Sequence, residues 1–149
     1  MTWEYIAGFI DGEGTIVRRK RVFNLYISQT NFEVLDEIKK FVGSGSIYSI
    51  DKRKPHWKEA WLYNAGGGRG TYYILLHVVD HLIVKRAWAR EVLKSLEVRF
   101  RELAGVASLK QERIRKAKLL RARGWTYRKI AKLLGTDFGY IRRLVLLGK

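Results

Sequence analysis

The sequence predicts an α+β fold in which an antiparallel sheet packs against helices and a small all-α unit follows. Two stretches, residues 15–30 and 46–64, alternate apolar and polar residues with the period of paired strands, and a helical pattern follows each of them. An apolar helix precedes the first stretch. Residues 108–149 contain short helical patterns and are strongly basic. The predicted order before this basic part is α-β-β-α-β-β-α-α.

The first helix is expected to end at alternating glycines and carboxylates. Its residues around Gly8 are apolar, and because an interior glycine costs about 1 kcal/mol relative to alanine, we expect another element to approach the helix closely there. Gly12 and Gly14 are expected to end the helix through a left-handed turn. Asp11 and Glu13 then lie near the helix C-terminus, where the helix dipole disfavours an anion. Carboxylates in that position indicate a divalent metal.

The next elements are predicted from periodicity and from their end signals. Residues 23–27 alternate as in a half-buried strand. A helix over residues 32–42 has Asn31 as its N-cap, and Gly43 follows its last turn. The glycine run at 66–68 is expected to break the chain before the next helix. The predicted strands are 15–20, 22–30, 46–52 and 58–64, and the predicted helices after the first are 32–42, 71–81 and 86–103.

One face of the predicted sheet is polar and basic. A twisted antiparallel sheet lined with hydrogen-bonding side chains can lie in the major groove of DNA. The same pattern is also typical of a sheet face that is simply solvated. The candidate DNA contacts on this face are Arg19, Arg21, Asn24, Tyr26, Ser28, Tyr48 and Lys52.

The net charge of the chain favours a polyanionic partner. Its 149 residues include 30 Lys and Arg against 14 Asp and Glu, a formal net charge of +16. The absence of cysteine excludes disulfides and Cys-zinc sites, and His77 and His81 are interpreted as parts of an ordinary helix face. Because no apolar run approaches a membrane span and no signal peptide opens the chain, we expect an intracellular protein without membrane contact.

The positive charge is concentrated in the last part of the chain. Residues 108–149 carry 13 Lys and Arg against two Asp and Glu, a net charge of +11, whereas residues 1–107 carry a net charge of +5. We therefore expect two domains, 1–107 and 108–149, the second a separate basic unit.

Residues 6–14, Ile-Ala-Gly-Phe-Ile-Asp-Gly-Glu-Gly, resemble the LAGLIDADG motif of homing endonucleases and intron maturases. Ile6 stands at the first Leu of the motif, and Glu13 replaces its second Asp. The resemblance covers about residues 3–104 and implies an αββαββα core whose polar sheet face is a saddle for double-stranded DNA. It also implies that Glu13 and the neighbouring backbone carbonyl of Gly12 ligate Mg²⁺, or Mn²⁺ or Ca²⁺ in its place. Ala7, Gly8, Asp11 and Gly14 match the motif.

Two further active-site residues follow from the resemblance. Gln29 lies in a segment similar to one whose strand-end Gln reaches the active site, where it would position water or metal. Lys85 lies in a segment similar to one that carries an active-site Lys, which would offset charge building on the phosphate. Some family members have an Arg shortly after the Gln, whereas residues 32–34 here are Phe, Glu and Val. Arg86 or another basic residue could take that role.

The chain contains a single motif, and single-motif members of the family act as homodimers through the motif helix. Small residues in this helix would let its symmetry mate pack tightly, so the interface would be isologous and the DNA target roughly palindromic. The predicted interface residues are Ile6, Ala7, Gly8 and Ile10.

The basic part resembles a helix-turn-helix. A small residue, a turn glycine and two apolar residues occur at the expected offsets, at Ala131, Gly135, Ile141 and Leu144. The alternative is an amphipathic basic tail packed on the core. In the helix-turn-helix reading, the candidate base contacts are Tyr140, Arg142 and Arg143.

The combined prediction is a site-specific double-strand DNA endonuclease of the homing type that introns encode. It would hydrolyse phosphodiester bonds and leave 3′ overhangs. Two alternatives belong to other classes: an intron maturase that binds RNA without cutting, and a non-cleaving DNA-binding regulator derived from the same fold. The maturase would tolerate loss of Glu13, and the regulator would bind a palindrome without nicking it. The retained carboxylate favours the nuclease.

Overall fold

The computed structural model describes residues 1–20, 22–51, 56 and 58–146. Within these ranges it contains one four-stranded antiparallel sheet and six helices, which confirms the predicted α+β class. The strands are β1 (Gly14–Arg19), β2 (Val22–Gln29), β3 (Ser46–Ile50) and β4 (Ala60–Asn64). The helices are α1 (Trp3–Glu13), α2 (Phe32–Val42), α3 (Gly67–Val78), α4 (Arg86–Ala122), α5 (Tyr127–Leu133) and α6 (Phe138–Leu146).

The strands lie in the order β1-β2-β4-β3. Tyr26 of β2 pairs with Thr15 of β1 and with Asn64 of β4, and Asn64 also pairs with Ser46 of β3. These four residues form one row across the sheet, on the same face. Because successive side chains of a strand point to opposite faces, the register fixes which residues share that face.

The other face of the sheet is buried against helices. Phe23, Leu25 and Ile27 of β2 alternate with less buried neighbours, as predicted, and Tyr63 of β4 is completely buried. Fully burying an aliphatic side chain stabilises the fold by about 1.5–3 kcal/mol, so this layer holds the sheet to the helices. The helices contribute, among other residues, Ile6, Ala7, Ile10, Leu35, Ile38, Ile74, Leu75, Val78, Val92 and Leu96.

The glycines of α1 differ from the prediction. Gly12 lies inside the helix, and Gly14, which follows it, has φ −80° rather than a left-handed conformation. A β-carbon at Gly14 would lie 2.7 Å from the Cα and carbonyl oxygen of Ile10, so close approach explains the glycine. A β-carbon at Gly8 would meet no atom within 4 Å in the described part of the chain. The predicted close neighbour of Gly8 is therefore not found among the described residues.

Helix α3 begins earlier than predicted, inside the glycine run. Gly66 and Gly67 have φ of 85° and 80°, which glycine adopts without strain. A β-carbon at Gly70 would lie 1.6 Å from the carbonyl oxygen of Ala65, so the first turn packs directly on the end of β4. The run thus starts a helix rather than only breaking the chain.

Helix α4 is longer than predicted and joins two compact units. It continues beyond the predicted end at residue 103 to Ala122. The units are Met1–Val98 and Arg99–Lys149, so the first unit ends within α4, ahead of the predicted boundary at 107. No helix in the described ranges is long and apolar enough to cross a bilayer.

The second unit has its own small core. Ala117, Ile130, Ala131 and Ile141 are buried together. Thr126 caps α5, since its hydroxyl accepts a hydrogen bond from the Lys129 N–H at 3.4 Å. Gly135 follows α5 with φ 59°, which gives the turn before α6. Two short helices joined by a turn are therefore present, as the helix-turn-helix pattern predicts.

Candidate active site and nucleic-acid interface

A shallow groove of about 460 Å³ follows the exposed side of α1 to its C-terminus. It brings together Gly12, Glu13 and Gln29, three of the predicted site residues, although Gln29 comes from the end of β2. Glu13 is exposed, and its carboxylate has no hydrogen-bond or ion-pair partner among the described residues. The Gln29 side-chain oxygen accepts a hydrogen bond from the Thr30 N–H at 2.8 Å. The full lining is Glu4, Tyr5, Gly8, Phe9, Gly12, Glu13 and Gln29.

The other carboxylate of residues 6–14, Asp11, has a structural role. Its Oδ2 accepts hydrogen bonds from the N–H groups of Ile83 at 2.6 Å and Val84 at 3.2 Å, and its Oδ1 accepts one from Lys85 N–H at 2.9 Å. Partial burial acts to raise the pKa of the Asp11 carboxyl, but the bonds from Ile83, Lys85 and Val84 and the Lys85 charge outweigh it and lower the pKa. The carboxylate ties the end of α1 to the segment that precedes α4.

The Lys85 side chain also joins the segment before α4 to the end of α1. Its Nζ donates hydrogen bonds to the carbonyl oxygens of Ile10 at 2.8 Å and Asp11 at 2.6 Å. A cation in this position stabilises the negative end of the α1 dipole. Lys85 is not among the residues that line the groove, so its ammonium is held at the helix end next to Glu13 and Gly12 rather than inside the groove.

The predicted DNA-contact residues of the sheet share one face. The register places Asn24, Tyr26 and Ser28 of β2 on the same side as Arg19 of β1 and Tyr48 of β3. The Asn24 amide donates a hydrogen bond to the Tyr26 hydroxyl at 2.7 Å, which fixes the two side chains relative to each other. Arg21 and Lys52, also predicted for this face, lie outside the described residues.

Solved structures are similar to the chain, whereas no protein-family model and no curated protein matches it. The homing endonuclease I-CvuI, solved with the I-CreI target in 2 mM Mg, aligns over 64% of this chain and 65% of its own, with 26% identity and a TM-score of 0.51. The homing endonuclease I-TnaI aligns over 100% and 99%, with 17% identity and a TM-score of 0.56. The LAGLIDADG meganuclease I-CpaMI, bound to uncleaved DNA, aligns over 68% and 38%, with 19% identity and a TM-score of 0.53.

The fold is that of the LAGLIDADG homing endonucleases. The resemblance predicted from residues 6–14 is thereby confirmed, and α1 is the LAGLIDADG helix of this chain. The aligned region spans slightly under two thirds of the I-CvuI chain and nearly all of the I-TnaI chain.

The C-terminal end of α1 carries groups of the kind that bind a divalent metal. Glu13 supplies a free carboxylate, and the C-terminal carbonyls of a helix favour a cation, which is the chemistry that Mg²⁺ and Ca²⁺ prefer. Asp11 does not add a ligand, because its oxygens accept backbone N–H groups. Across the described ranges, no group of three or more His, Cys, Asp or Glu could hold a metal ion. The residues fit a divalent metal if a second copy contributes its own Glu13.

Three of the four residues predicted for the dimer interface are buried within the chain, which corrects the prediction. Ile6, Ala7 and Ile10 are 0% exposed in the chain itself, so they have no surface left for a partner to cover. They face the core because a helix on a sheet must bury one apolar side. Of the predicted residues only Gly8 is exposed, and on the same open side lie Tyr5 and Gly12.

The predicted base contacts of the second unit differ in exposure. Arg142 and Arg143 of α6 are exposed. Tyr140 is half-buried and packs against the small core of Ala117, Ile130, Ala131 and Ile141. Its ring therefore stabilises the unit, and only part of it is available to a ligand.

The sequence prediction missed residues that the fold brings to the groove and the sheet face. Tyr5 and Phe9 line the groove with ring centroids 5.2 Å apart, yet in the sequence they read as core residues of an apolar helix. Their spacing of four residues on the same side as Gly8 was the available signal. Leu62 of β4 pairs with Tyr48 and so joins the sheet face, which only the strand register shows.

Proposed function

We propose that the chain is a site-specific DNA endonuclease of the LAGLIDADG homing type. The observation that carries the proposal is the groove at the end of the motif helix, which sets an unpaired Glu13 beside Gln29 at the end of the polar sheet face. The net charge of +16 supplies the attraction to the DNA backbone. The I-CvuI and I-CpaMI structures hold DNA, which supports the same partner here.

The proposed reaction is hydrolysis of a phosphodiester bond in each strand, in which water adds to phosphorus and one P–O ester bond breaks, leaving 3′ overhangs. Glu13 and the Gly12 carbonyl would hold Mg²⁺, which when bound activates water and stabilises the leaving oxygen. Gln29 would orient water with its side-chain amide. Lys85 would hold the end of α1 through Ile10 and Asp11 and add positive charge beside the phosphate.

The test of this function is incubation of the full chain with a randomised duplex DNA library and Mg²⁺, followed by sequencing of the ends produced. A nuclease yields discrete, roughly palindromic cut sites with 3′ overhangs. Selection of a palindrome without any nick would instead establish a regulator. Binding of structured RNA with no cut DNA would establish a maturase.

We also propose that two copies pair through the open side of α1. Gly8 and Gly12 lie one helical turn apart on this side, and a β-carbon at either would meet no atom within 4 Å in the described residues. Two helices can approach closely where such small residues face each other. The pairing would place two Glu13 carboxylates in one site.

Gly8→Leu is expected to weaken dimerisation by at least about thirtyfold. Overpacking costs about 1–3 kcal/mol per site, and an isologous contact suffers it twice. Since the space around Gly8 within the chain is open, the monomer should keep its fold. Analytical ultracentrifugation measures the dimer Kd, with Gly105→Leu as the matched control because Gly105 is also an exposed helical glycine with open space around it. An intact Gly8→Leu dimer would place the interface elsewhere.

The second unit is proposed to lengthen the DNA footprint as a helix-turn-helix. Arg142 and Arg143 would approach base edges, and other basic residues would contact phosphates. Arginines that already have aromatic or backbone partners are less available, and Arg143 is among them, since its Nε donates a hydrogen bond to the Gly139 carbonyl at 3.4 Å. Arg121 lies 4.6 Å from the Tyr127 ring and bonds the Trp125 carbonyl, and Arg128 lies 6.0 Å from the Phe138 ring.

Truncation after Ala107 is expected to leave a folded chain that still cuts but binds DNA more weakly over a shorter footprint. The cut preserves the whole first unit, Met1–Val98, with Glu13, Gln29 and Lys85. The removed residues carry a net charge of +11, and each lost phosphate contact should lower the slope of log affinity against log salt by about 0.9. Footprinting and salt titration measure both effects. If neither changes, the second unit does not bind DNA.

A further inference from the structure

Strands β3 and β4 carry a group of apolar side chains on the sheet face. Tyr48 and Ile50 of β3 are 54% and 41% exposed, and their cross-strand partners on β4 are Leu62 and Ala60. All four side chains lie on the same face as Tyr26 and Ser28. We call Tyr48, Ile50, Ala60 and Leu62 the β3–β4 patch. Single exposed apolar residues are ordinary, but a contiguous group on a face is typical of an interaction site.

The same face also carries hydrogen-bonding side chains. Thr15 of β1 and Asn24, Tyr26 and Ser28 of β2 are hydrogen-bonding residues, and Asn24 and Tyr26 bond each other. Ser46 and Asn64 continue this polar row onto β3 and β4, and Val17 and Val22 are the apolar residues of β1 and β2 on the face. A partner that fits the whole face must therefore present both hydrogen-bonding groups and apolar groups.

The DNA major groove has this property. Base edges there present hydrogen-bond donors and acceptors, but thymine also presents its C5-methyl group, which apolar side chains contact. Building on the proposed function, we propose that the β3–β4 patch selects pyrimidines carrying a 5-methyl group in the outer part of each half-site. The patch is continuous with the polar face through the Tyr48–Leu62–Ser28 row of the register. The excess positive charge of the chain favours DNA over an uncharged apolar partner in this position.

The experiment uses three randomised duplex libraries, selected for binding to the full chain in Ca²⁺ and then sequenced. The first contains thymine, the second contains uracil in its place, and the third contains 5-methylcytosine in place of cytosine. Uracil pairs like thymine and lacks only the methyl group. Thymine should be enriched at defined outer positions in the first library, with no preference for uracil at these positions in the second. In the third, 5-methylcytosine should be accepted there.

Each methyl group contacted should change affinity by about fourfold, the effect of burying one methylene-sized group. Tyr48→Ser combined with Ile50→Ser should bind thymine and uracil versions of a selected duplex equally. This variant also separates direct contact from any effect of the methyl group on DNA shape, because a shape effect would persist in it. Tyr48→Phe keeps the ring and should keep the discrimination.

Leu76→Ser is the matched control, since Leu76 is 52% exposed on α3 and not on the sheet face. It should discriminate as the unchanged chain does. Equal selection from the thymine and uracil libraries by the unchanged chain would overturn the proposal while leaving the endonuclease proposal intact. A change of oligomeric state in the double variant, with discrimination retained, would show that the patch contacts another copy and would also overturn it. Failure to select any duplex would instead refute DNA binding itself.

Discussion

Glu13→Gln is expected to lose at least about a hundredfold in cleavage rate while binding DNA as tightly as the unchanged chain. The amide has the size of the carboxylate but lacks the charge that ligates Mg²⁺, and removing one electrostatic contribution to a transition state costs about 10²–10³ in rate. Glu13 is exposed and unpaired in the described structure, so its replacement should not alter the fold. Single-turnover cleavage of a selected target in Mg²⁺ and a binding titration in Ca²⁺ separate the two effects.

The control for this prediction lies in the same groove. Glu4 is another exposed carboxylate of α1 that lines the groove, and its nearest ionic partner is His81, at 3.7 Å. Glu4→Gln makes the same chemical change nine residues before Glu13, near the opposite end of the helix, and should still cut. Near-normal cutting by Glu13→Gln would show that Glu13 is not a metal ligand. Equal losses of cleavage rate in both variants would indicate a general effect of the negative charge in the groove.

Asp11→Asn is expected to lower the free energy of unfolding by about 2–4 kcal/mol. The Asp11 carboxylate accepts three backbone hydrogen bonds, and an amide presents one oxygen and one NH₂ group to the same donors. Hydrogen bonds to a charged group contribute about 1.5–3 kcal/mol, and an unsatisfied donor costs about 1–3 kcal/mol. Urea denaturation measures the change.

Asp36→Asn provides the comparison for Asp11→Asn. Asp36 forms an ion pair with Lys40 at 2.7 Å, four residues later on the surface of α2. Exposed pairs of this kind contribute about 0.3–0.5 kcal/mol, so this variant should remain close to the unchanged chain. If Asp11→Asn were equally stable, the link between α1 and residues 83–85 would not support the fold, and Asp11 would regain its place as a candidate metal ligand.

Local patterns in the sequence were sufficient to predict most elements of the fold. Helix α2 begins and ends as predicted because both of its signals are local: the Asn31 side chain accepts the Val34 N–H at 3.3 Å, and Gly43 adopts φ 74°. Thr126 and Gly135 act in the same way in the second unit. The predicted beginning of α3 was wrong because Gly66 and Gly67 use positive φ to start the helix rather than to break the chain, and Gly70 packs on Ala65, a contact that only the fold shows.

The sequence could predict which residues lie at the site where their identity within a local motif was enough. The groove places Glu13, Gly12 and Gln29 together as the resemblance implies. The roles of the α1 side chains could not be predicted, because which side of a helix is buried depends on how the helix is turned on the sheet. Likewise, Asp11 and Lys85 are 74 positions apart in the sequence. Only the fold shows that the Asp11 carboxylate accepts the Lys85 N–H and that the Lys85 ammonium donates to the Asp11 carbonyl.

The strand order has a practical consequence for changing which DNA the protein recognises. Strand β1 follows directly after Glu13, and β2 ends at Gln29, so both strands are tied to the residues proposed to cut DNA. Strand β3 lies at the sheet edge, separated from β2 by β4, and carries none of the residues of the groove. If the proposed function holds, randomising positions 46, 48 and 50 would therefore give a library of variants with altered DNA targets and unchanged residues at the groove.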